Sequence, residues 1–559
     1  MPHRSGRSAG RDGFPRMLRE EWARFRSGRG RVLAVAASVL VTVSIGLLVA
    51  GGARTTCVTG TGEGPCPAPL VGPDGTAVKD KYFFVHQPLK GNGSITARVS
   101  DMTGQIRLPD VVPGVRNVQE GVVPWAKAGL LLRPSLKQGT PYAAVMLTGG
   151  HGVRMQHDYV HDVAGGPHNG PQWLRLTRSG DTVTGQESDD GKAWTEVDTV
   201  RLAGLPETVE IGLFVTSPGV LWDMAKAFAQ ATATFDQIEL QGADGSWRRD
   251  DVGVSMESDG RTPHHPGGVV ESGGKLVVTG GGDIGPATVE GGLRADLLLI
   301  GGAVGLIPIF VAAATFLTTR NRPEPTGPSP TEHPRVPAGS GPSERPREPA
   351  GSGPVEHPRV PAGSGPIERL REPAGSGPTP VSRPARLLAA RAVVVGVVGF
   401  AAGLVAAGVV IIAGLAMLRA HENPIQPITV GTELRMIVGH AALTAAAAVL
   451  ALGLAALVRR TVVAVGLAIV LVVVPYLLAT AGLAPWLLTI TPAAGFAITQ
   501  SIPTFAHVDV DPSLLGGYYP LPPWAGLTVT CGYAAVALGV AIAVHRRQVP
   551  FDGELPHSR

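Results

Sequence analysis

The sequence predicts a membrane protein with six transmembrane helices and an all-β domain inserted between the first and the second helix. Six apolar runs are each about 20 residues long, the length that crosses a bilayer core. Residues 53–296, between the first two runs, alternate short β-branched stretches with Gly-rich turns. Charged residues make up only 16% of the 559 residues, against about 25% in soluble proteins. Together these features exclude a wholly soluble protein.

The six apolar runs contain no Asp, Glu, Lys or Arg. A buried helix of a soluble protein rarely needs so long an uncharged stretch, so each run predicts a transmembrane helix. Pro475 lies inside the fifth run, where we expect a kink. The predicted spans are Val32–Gly52, Leu297–Leu317, Ala392–Met417, Ile437–Val458, Val462–Leu483 and Trp524–Val544.

The arginines next to the spans predict the orientation. Cytosolic ends of transmembrane helices carry an excess of basic residues. With the N-terminus in the cytosol, only Arg54, Arg294, Arg419 and Arg435 flank spans on the outside. The cytosolic flanks then carry Arg29, Arg31, Arg320, Arg322, Arg386, Arg391, Arg459, Arg460, Arg546 and Arg547. Both termini, residues 1–31 and 545–559, are therefore expected in the cytosol, and the β-domain outside. No A-x-A site follows the first span, so we expect an uncleaved anchor.

A short amphipathic helix is predicted just before the first span. Phe14, Leu18, Trp22 and Phe25 repeat at i, i+4, i+8 and i+11, which places them on one helical face. Several arginines occupy the other positions. We expect this helix to lie in the cytosolic interface, held by anionic lipid. The alternative is an unstructured basic tail.

Residues 53–242 predict an extracellular β-sandwich. Short alternating runs are separated by turns such as Asp190-Gly191. Cys57 and Cys66 lie on the oxidising side and predict a small disulfide. Residues 243–296 are interpreted as a Gly-rich membrane-proximal extension. The strand runs are Ser94–Val99, Tyr142–Leu147, Trp173–Leu176, Thr182–Gln186 and Ile211–Thr216.

The β-domain offers few candidates for chemistry. Glu187, Asp189 and Asp190 cluster at one hairpin tip, where turn chemistry alone favours Asp, so we predict no glycosidase. Trp125 and Trp173 are candidates for glycan contact, although both also suit a sandwich core. A stretch with four histidines is interpreted as a polar loop rather than a metal site. These histidines are His151, His157, His161 and His168.

Residues 318–391 are predicted to form a cytosolic linker, and residues 392–544 the third to sixth helices. The motif PAGSGP begins at Pro337, Pro349, Pro361 and Pro373. Pro, Gly and Ser with mixed charge cannot form a packed core, which predicts a disordered spacer. A docking site for a partner is the alternative.

The chain is not expected to be an enzyme. A phosphate-binding loop needs Gly-Lys-Ser/Thr, and every Lys lies between Lys79 and Lys275. We therefore expect no cofactor in this chain, and no nucleic-acid partner.

Two resemblances refine this picture. Trp173–Gly180 and Thr184–Val197, with Trp125–Leu130 and Ala233–Leu240, resemble strands of concanavalin A-like jelly-roll domains. That resemblance implies a two-sheet sandwich and is only weakly informative about activity.

Four further segments resemble parts of actinobacterial type-2 ABC permeases, some of which carry a concanavalin A-like ectodomain. The segments are Met17–Ser27, Ala385–Val395, Thr489–Gln500 and Gly516–Gly526. In that family the Thr489–Gln500 segment partly re-enters the membrane from outside. The resemblance implies a plasma-membrane permease, a second permease copy or related permease, and an ABC ATPase subunit that binds ATP.

The sequence departs from the family pattern after the second span, where the Pro-rich repeat replaces a continuous basic coupling helix. A second hypothesis therefore stands beside the transporter. It is a non-transporting membrane-anchored envelope-binding or sensing protein that binds cell-envelope glycan through the β-sandwich.

Overall fold

The computed structural model describes residues 13–59, 62–112, 115–167, 170–222, 225–243, 245–256, 263–287, 292–318, 383–502, 505 and 519–547. Helices occupy both ends of this part of the chain, and antiparallel sheets lie between them. Helices α1 (Gly13–Ser27) and α2 (Arg29–Gly52) precede the sheets. After the sheets come a 3₁₀ turn (Ala295–Leu299), α3 (Gly301–Thr318), α4 (Arg383–Ala420), α5 (Val430–Val458), α6 (Thr461–Ala468), a π-helical turn (Ile469–Val473), α7 (Val474–Thr480), α8 (Leu487–Ile490), a 3₁₀ helix (Pro492–Thr499) and α9 (Pro523–Arg547).

Six of the described helical segments are long and apolar enough to cross a membrane, as predicted, which indicates a membrane protein. The structure extends several of them beyond the predicted bounds. Residues 383–391, predicted as linker, form the first turns of α4. Residues 319–382, with all four PAGSGP motifs, lie outside the described residues. The segments are Arg29–Gly52, Ala295–Leu317, Ala385–Ala420, Val430–Val458, Thr461–Thr480 and Pro523–His545.

Local chemistry explains two helix features. The Thr429 hydroxyl accepts the N–H of Thr432 at 3.2 Å and caps the start of α5. In the fifth segment the α-helix is interrupted by a π-helical turn just before Pro475. Proline lacks an N–H and clashes with the preceding turn, so the helix must adjust there. The structure therefore has a π-helical turn next to the position at which the sequence predicts a kink.

The strands cover most of the chain between α2 and the 3₁₀ turn. Their bounds are β1 Thr56–Thr59, β2 Gly62–Pro65, β3 Val78–Asp80, β4 Tyr82–Lys90, β5 Gly93–Val112, β6 Val115–Glu120, β7 Lys127–Arg133, β8 Ala143–Thr148, β9 Val153–His157, β10 His161–Ala164, β11 Gln172–Ser179, β12 Thr182–Ser188, β13 Thr195–Arg201, β14 Thr208–Thr216, β15 Val220–Trp222, β16 Ala225–Gln241, β17 Arg248–Val252, β18 Ser255–Met256, β19 Pro263–His264, β20 Gly268–Ser272, β21 Lys275–Gly281 and β22 Ile284–Pro286.

Two large antiparallel sheets dominate this region, which we call the β-domain. The seven-stranded sheet has the order β10-β9-β8-β7-β14-β4-β17, and the nine-stranded sheet contains the path β13-β12-β11-β5-β16-β21-β20. Alternate residues of both sheets share one apolar core, for example Leu130 and Ile211 from one and Leu174 and Val278 from the other. The other face of the seven-stranded sheet is also buried, with Phe84, Leu131 and Phe214 in a second, smaller apolar cluster.

The Gly-rich extension is not a separate element. Strand β17 joins the seven-stranded sheet beside β4, and β20 and β21 extend the nine-stranded sheet beyond β16. The boundary predicted at residue 242 therefore cuts through both sheets. The sequence shows a β run at Lys275–Thr279, which is part of β21. The runs in this stretch are short and interrupted by turns, such as Gly273-Gly274 between β20 and β21, so the sequence favoured a loose extension.

Buried charges lie on the other side of the seven-stranded sheet. Arg133 donates to both carboxylate oxygens of Asp80, with both side chains fully buried. Lys127, also fully buried, donates to Asp283 at 3.2 Å. Burial lowers the pKa of Lys127, against the opposing effect of Asp283. Each of these charges is paired, as burial requires.

Candidate functional site

The helical bundle has a distinct polar cluster at the end remote from the β-domain. We call it the basal cluster and define it as Glu21 and Phe25 of α1, Arg31 of α2, Phe316 of α3 and Arg391 of α4. Arg391 Nε donates to Glu21 Oε2 at 2.9 Å, and both side chains are about nine-tenths buried. The rings of Phe25 and Phe316 meet edge to face, with centroids 5.1 Å apart. Four helices therefore meet in one set of side-chain contacts.

Two guanidinium groups approach the ring of Phe316. The Arg31 guanidinium carbon lies 5.2 Å from its centroid and that of Arg391 lies 5.6 Å from it. Arg31 also donates to the backbone carbonyl of Arg24 at 2.5 Å. Cation–π contacts of this kind strengthen when the groups are shielded from water. The cluster thus ties the end of α1 to three neighbouring helices.

The predicted apolar face of α1 is only partly buried against the bundle. Phe25 is buried and Leu18 packs against the bundle core, but Phe14 and Trp22 each remain 38% exposed. The third residue of the buried stripe is Glu21, which is 5% exposed. Sequence reasoning missed Glu21 because a carboxylate was not expected on the buried face. Its spacing of i, i+3, i+7 with Leu18 and Phe25 was the available signal.

A second polar cluster lies at the opposite end of the bundle, next to the β-domain. Asp296 accepts from Arg294 Nε at 3.1 Å and from the Ser501 hydroxyl at 2.5 Å. Arg435 of α5 donates to the carbonyl of Gln500. The second apolar segment of the structure begins at Ala295, two residues before the predicted run Leu297–Leu317, and so includes Asp296, which is 8% exposed. The sequence window began at Leu297 and excluded it.

The 3₁₀ helix Pro492–Thr499 is buried along its whole length, between α5 and α9. The Thr530 hydroxyl donates to the carbonyl of Pro492 at 2.7 Å, and so satisfies one backbone group of the irregular segment. Within a membrane, non-α-helical backbone is tolerated where it is buried in protein, as here, or where it lines a water-filled cavity. The segment overlaps the Thr489–Gln500 stretch singled out in the sequence.

In the β-domain, Cys57 of β1 forms a disulfide with Cys66, the residue directly after β2. Trp125 is 2% exposed, with the His151 ring stacked at 4.0 Å and Arg154 on it at 5.5 Å. No ring face of Trp125 is therefore open to a glycan. Trp173 is half-buried on the outward side of β11, since its neighbour Leu174 enters the core.

The hairpin carboxylates have structural roles. Asp190 accepts backbone N–H groups from Lys192 and Ala193, and these bonds lower the pKa of its carboxyl group. Glu187 accepts the N–H of Gly166 at 2.6 Å. His157 and His161 stack on each other at 4.3 Å, and within the described ranges no group of three or more His, Cys, Asp or Glu is placed to hold a metal ion. His168 lies outside those ranges.

No family model and no curated protein matches this chain. A functionally unknown protein from Saccharomyces cerevisiae is similar in structure, with 15% identity, coverage of 34% of this chain and 87% of its own, and a TM-score of 0.18. A mutant of the GH43 protein BlXynB from Bacillus licheniformis shares 13% identity over 27% of each chain, with a TM-score of 0.16. TM-scores this low carry no information on the fold or function of this chain.

Proposed function

We propose that this protein is the membrane-spanning permease subunit of an ATP-driven transporter of the type-2 ABC kind. In this proposal both termini lie in the cytosol, the β-domain is a concanavalin A-like extracellular domain, and a separate ATPase subunit binds ATP. The observation that carries the proposal is the basal cluster. It supplies a point where force from a cytosolic partner can enter the bundle.

The position of the cluster supports this role. Helix α1 packs against the ends of α3 and α4 through Phe25 and Glu21, and α3 and α4 are the helices that residues 319–382 connect. An ATPase that contacts this end therefore acts on several helices at once. Rocking of helix groups about such contacts is a known way to change access across a membrane.

The buried 3₁₀ helix Pro492–Thr499 also supports the proposal. The type-2 permease resemblance implies a re-entrant segment at this position, between the fifth and sixth spans. An irregular segment that is covered by α5 and α9 can change position without exposing its backbone to lipid.

Arginines support the proposed orientation. Arg16, Arg19, Arg24 and Arg26 lie on α1, and Arg459 and Arg460 lie between α5 and α6, at the same end of the bundle. An excess of arginine at one end is typical of the cytosolic side. The half-exposed Phe14 and Trp22 would then contact lipid at that interface.

The test is purification of the full chain in mild detergent from its native membrane, followed by an ATPase assay. We expect a nucleotide-hydrolysing subunit to co-purify with the wild type. Glu21→Gln should lower its recovery about tenfold, equivalent to about 1.4 kcal/mol. Glu20→Gln is the matched control, because Glu20 forms only an exposed pair with Arg16 and should not change recovery. Recovery of the wild-type chain without any ATPase would contradict the proposal.

The half-buried ring of Trp173 favours glycan binding as a second candidate function. Arg98 lies over this ring at 5.8 Å and pairs with Asp236 on the same outward side of the nine-stranded sheet. Co-sedimentation of the protein with purified cell envelope tests the idea. Trp173→Ala should reduce the fraction of protein that co-sediments. Trp247→Ala is the control and should leave that fraction unchanged, because Trp247 is a half-buried Trp that packs against the core. Equal co-sedimentation of wild type and Trp173→Ala would contradict glycan binding at this position.

A further inference from the structure

The chain enters the β-domain through residues 53–55 and leaves it through residues 292–294. We call these segments the entry stalk and the exit stalk. Both stalks contact the same short loop, His421–Gln426, which lies in the connection between α4 and α5. We call this loop the clasp.

Asn423 holds the entry stalk. Its Oδ1 accepts from the backbone N–H of Thr55 at 2.9 Å and from the Thr55 hydroxyl at 2.5 Å. Its Nδ2 donates to the carbonyl of Ala53 at 3.2 Å. Beside it, Arg54 donates to Nδ1 of His421 at 2.7 Å. The disulfide at Cys57 follows two residues after Thr55 and restricts the movement of the entry stalk.

The exit stalk is held through its backbone. Leu293 donates its N–H to the carbonyl of Pro424 at 2.8 Å and accepts the N–H of Gln426 at 3.0 Å, as a parallel bridge to Ile425. Gly292 allows this approach, because a Cβ there would lie 2.7 Å from the Pro424 oxygen, and its φ of 97° favours glycine.

The clasp itself is well packed. Asn423 is 7% exposed and Gln426 5% exposed, although both carry polar side chains. The N–H of Asn423 bonds to the carbonyl of Leu418 at 3.1 Å and closes the end of α4. Glu422 adopts a φ of 56°, a conformation that costs energy for a non-glycine residue and persists only where surroundings impose it.

Helix α4 connects the clasp to the basal cluster. It spans 38 residues, a length of roughly 57 Å. Arg391 of the basal cluster lies near its first turns, and the clasp begins directly after its last residue, Ala420. One continuous helix therefore connects the basal cluster at one end of the bundle to the clasp at the end next to the β-domain.

We propose that the clasp fixes the β-domain to α4 and α5, so that tilting of α4 reorients the β-domain and a change in the β-domain displaces α4. The proposed function supplies one source of such motion, but the coupling itself does not depend on it. Linked domains with few contacts normally move independently, so a fixed orientation requires a device of this kind.

The test measures the spread of distances between the β-domain and the bundle in the full-length protein in lipid nanodiscs. Spin labels are attached at Lys192→Cys, on an exposed hairpin tip, and Leu483→Cys, at an exposed site of the bundle, in a Cys531→Ser background. Double electron–electron resonance should give one narrow distribution. Asn423→Ala should broaden it about twofold, because the variant loses the side-chain hydrogen bonds to Thr55 and Ala53 and the entry stalk then moves more freely.

Asn92→Ala is the matched control, because Asn92 accepts a single hydrogen bond from Gly180 inside the β-domain. It should leave the distribution narrow. A distribution in Asn423→Ala as narrow as in wild type, or equal broadening in Asn92→Ala, would overturn the coupling. If Asn423→Ala does not fold, the milder pair Thr55→Ala with His421→Ala carries the test, with broadening expected and an unchanged width overturning it.

Failure of this inference is distinguishable from failure of the proposed function. A narrow distribution in Asn423→Ala, with an ATPase still co-purifying, rejects the clasp and keeps the transporter. Broadening without any ATPase keeps the clasp and rejects the transporter.

Discussion

The β-domain and the helical bundle both have apolar cores, but they differ in where charged side chains are buried and in how much apolar surface is exposed. The β-domain buries Arg133 and Lys127 completely, within paired networks. The bundle keeps its buried ion pairs at its two ends, where Glu21 meets Arg391 and Arg294 meets Asp296. Charges deep inside the bundle would have neither water nor lipid headgroups nearby.

The two regions also differ in the apolar surface that they expose. Bundle residues such as Val462, Leu48 and Ile412 are 84%, 73% and 67% exposed. The β-domain exposes few large apolar side chains, of which Val270 is the most exposed among the described residues, at 64%. Contiguous exposed apolar surface is unusual in water and normal in lipid. The comparison teaches that each region is built for a different solvent.

The largest expected effect comes from the most deeply buried charge pair. Asp80→Asn leaves the guanidinium of Arg133 uncompensated in a fully buried site, and we expect a loss of about 3–5 kcal/mol in the unfolding free energy of the β-domain. Denaturant unfolding of the full chain in detergent, followed by the β-sheet circular dichroism signal, measures it. Asp74→Asn, at an exposed pair with His161, should cost less than about 1 kcal/mol. Equal losses of unfolding free energy in Asp80→Asn and Asp74→Asn would contradict the expectation that the buried pair matters more than the exposed pair.

A smaller effect is expected for the pair in the basal cluster. Glu21→Gln should destabilise the bundle by about 2 kcal/mol, because the Arg391 guanidinium loses a charged partner but lies close to the end of the bundle. Unfolding in mixed micelles of mild detergent and sodium dodecyl sulfate measures this. A loss of unfolding free energy as large as that expected for Asp80→Asn would contradict the proposed difference between the two regions in the cost of breaking a buried ion pair.

The outward face of the nine-stranded sheet should respond to acid. Hydrogen bonds from Arg98 lower the pKa of Asp236, despite partial burial that opposes them. A lowered folded-state pKa gives stability that is present above the unfolded value, about 3.9, and is lost as pH falls through the folded value. Asp236→Asn should therefore cost about 1 kcal/mol at neutral pH and nothing at low pH. An equal cost at both pH values would contradict this assignment.

The smallest effect is expected for the repeat between α3 and α4. Removal of one 12-residue unit that starts at Pro349 should change stability by about 0.2 kcal/mol, because loop-closure entropy changes slowly with length. The ATPase assay and detergent stability of the shortened chain check this. A sharp loss of ATPase recovery would instead identify the repeat as a docking site.

The parts of the fold that depend on local pattern could be predicted from sequence. The apolar spans follow from length and composition, and a strand at Ile211–Thr216 follows from a short apolar run with β-branched residues, which β14 confirms. The cores were less predictable. Trp125 gave no local sign that His151 and Arg154 cover its ring, because those contacts depend on the pairing of distant strands.

The contacts of the candidate site and of the clasp were the least predictable. Glu21 and Arg391 are separated by 370 residues, and Thr55 and Asn423 by 368. Residues so far apart in the sequence share no local pattern that would predict their contact. From sequence alone, a carboxylate on an amphipathic helix is assigned to the polar face. Only the packing of α4 against α1 and α2 brings both pairs together.

The most direct test of the account is the sidedness of the two regions. Lys192→Cys in the β-domain and Glu20→Cys in α1 are each introduced in the Cys531→Ser background, and intact cells are treated with a membrane-impermeant maleimide. The account predicts labelling of Lys192→Cys in intact cells, and of Glu20→Cys only after the membrane is permeabilised. Labelling of Glu20→Cys in intact cells, with Lys192→Cys protected, would contradict it.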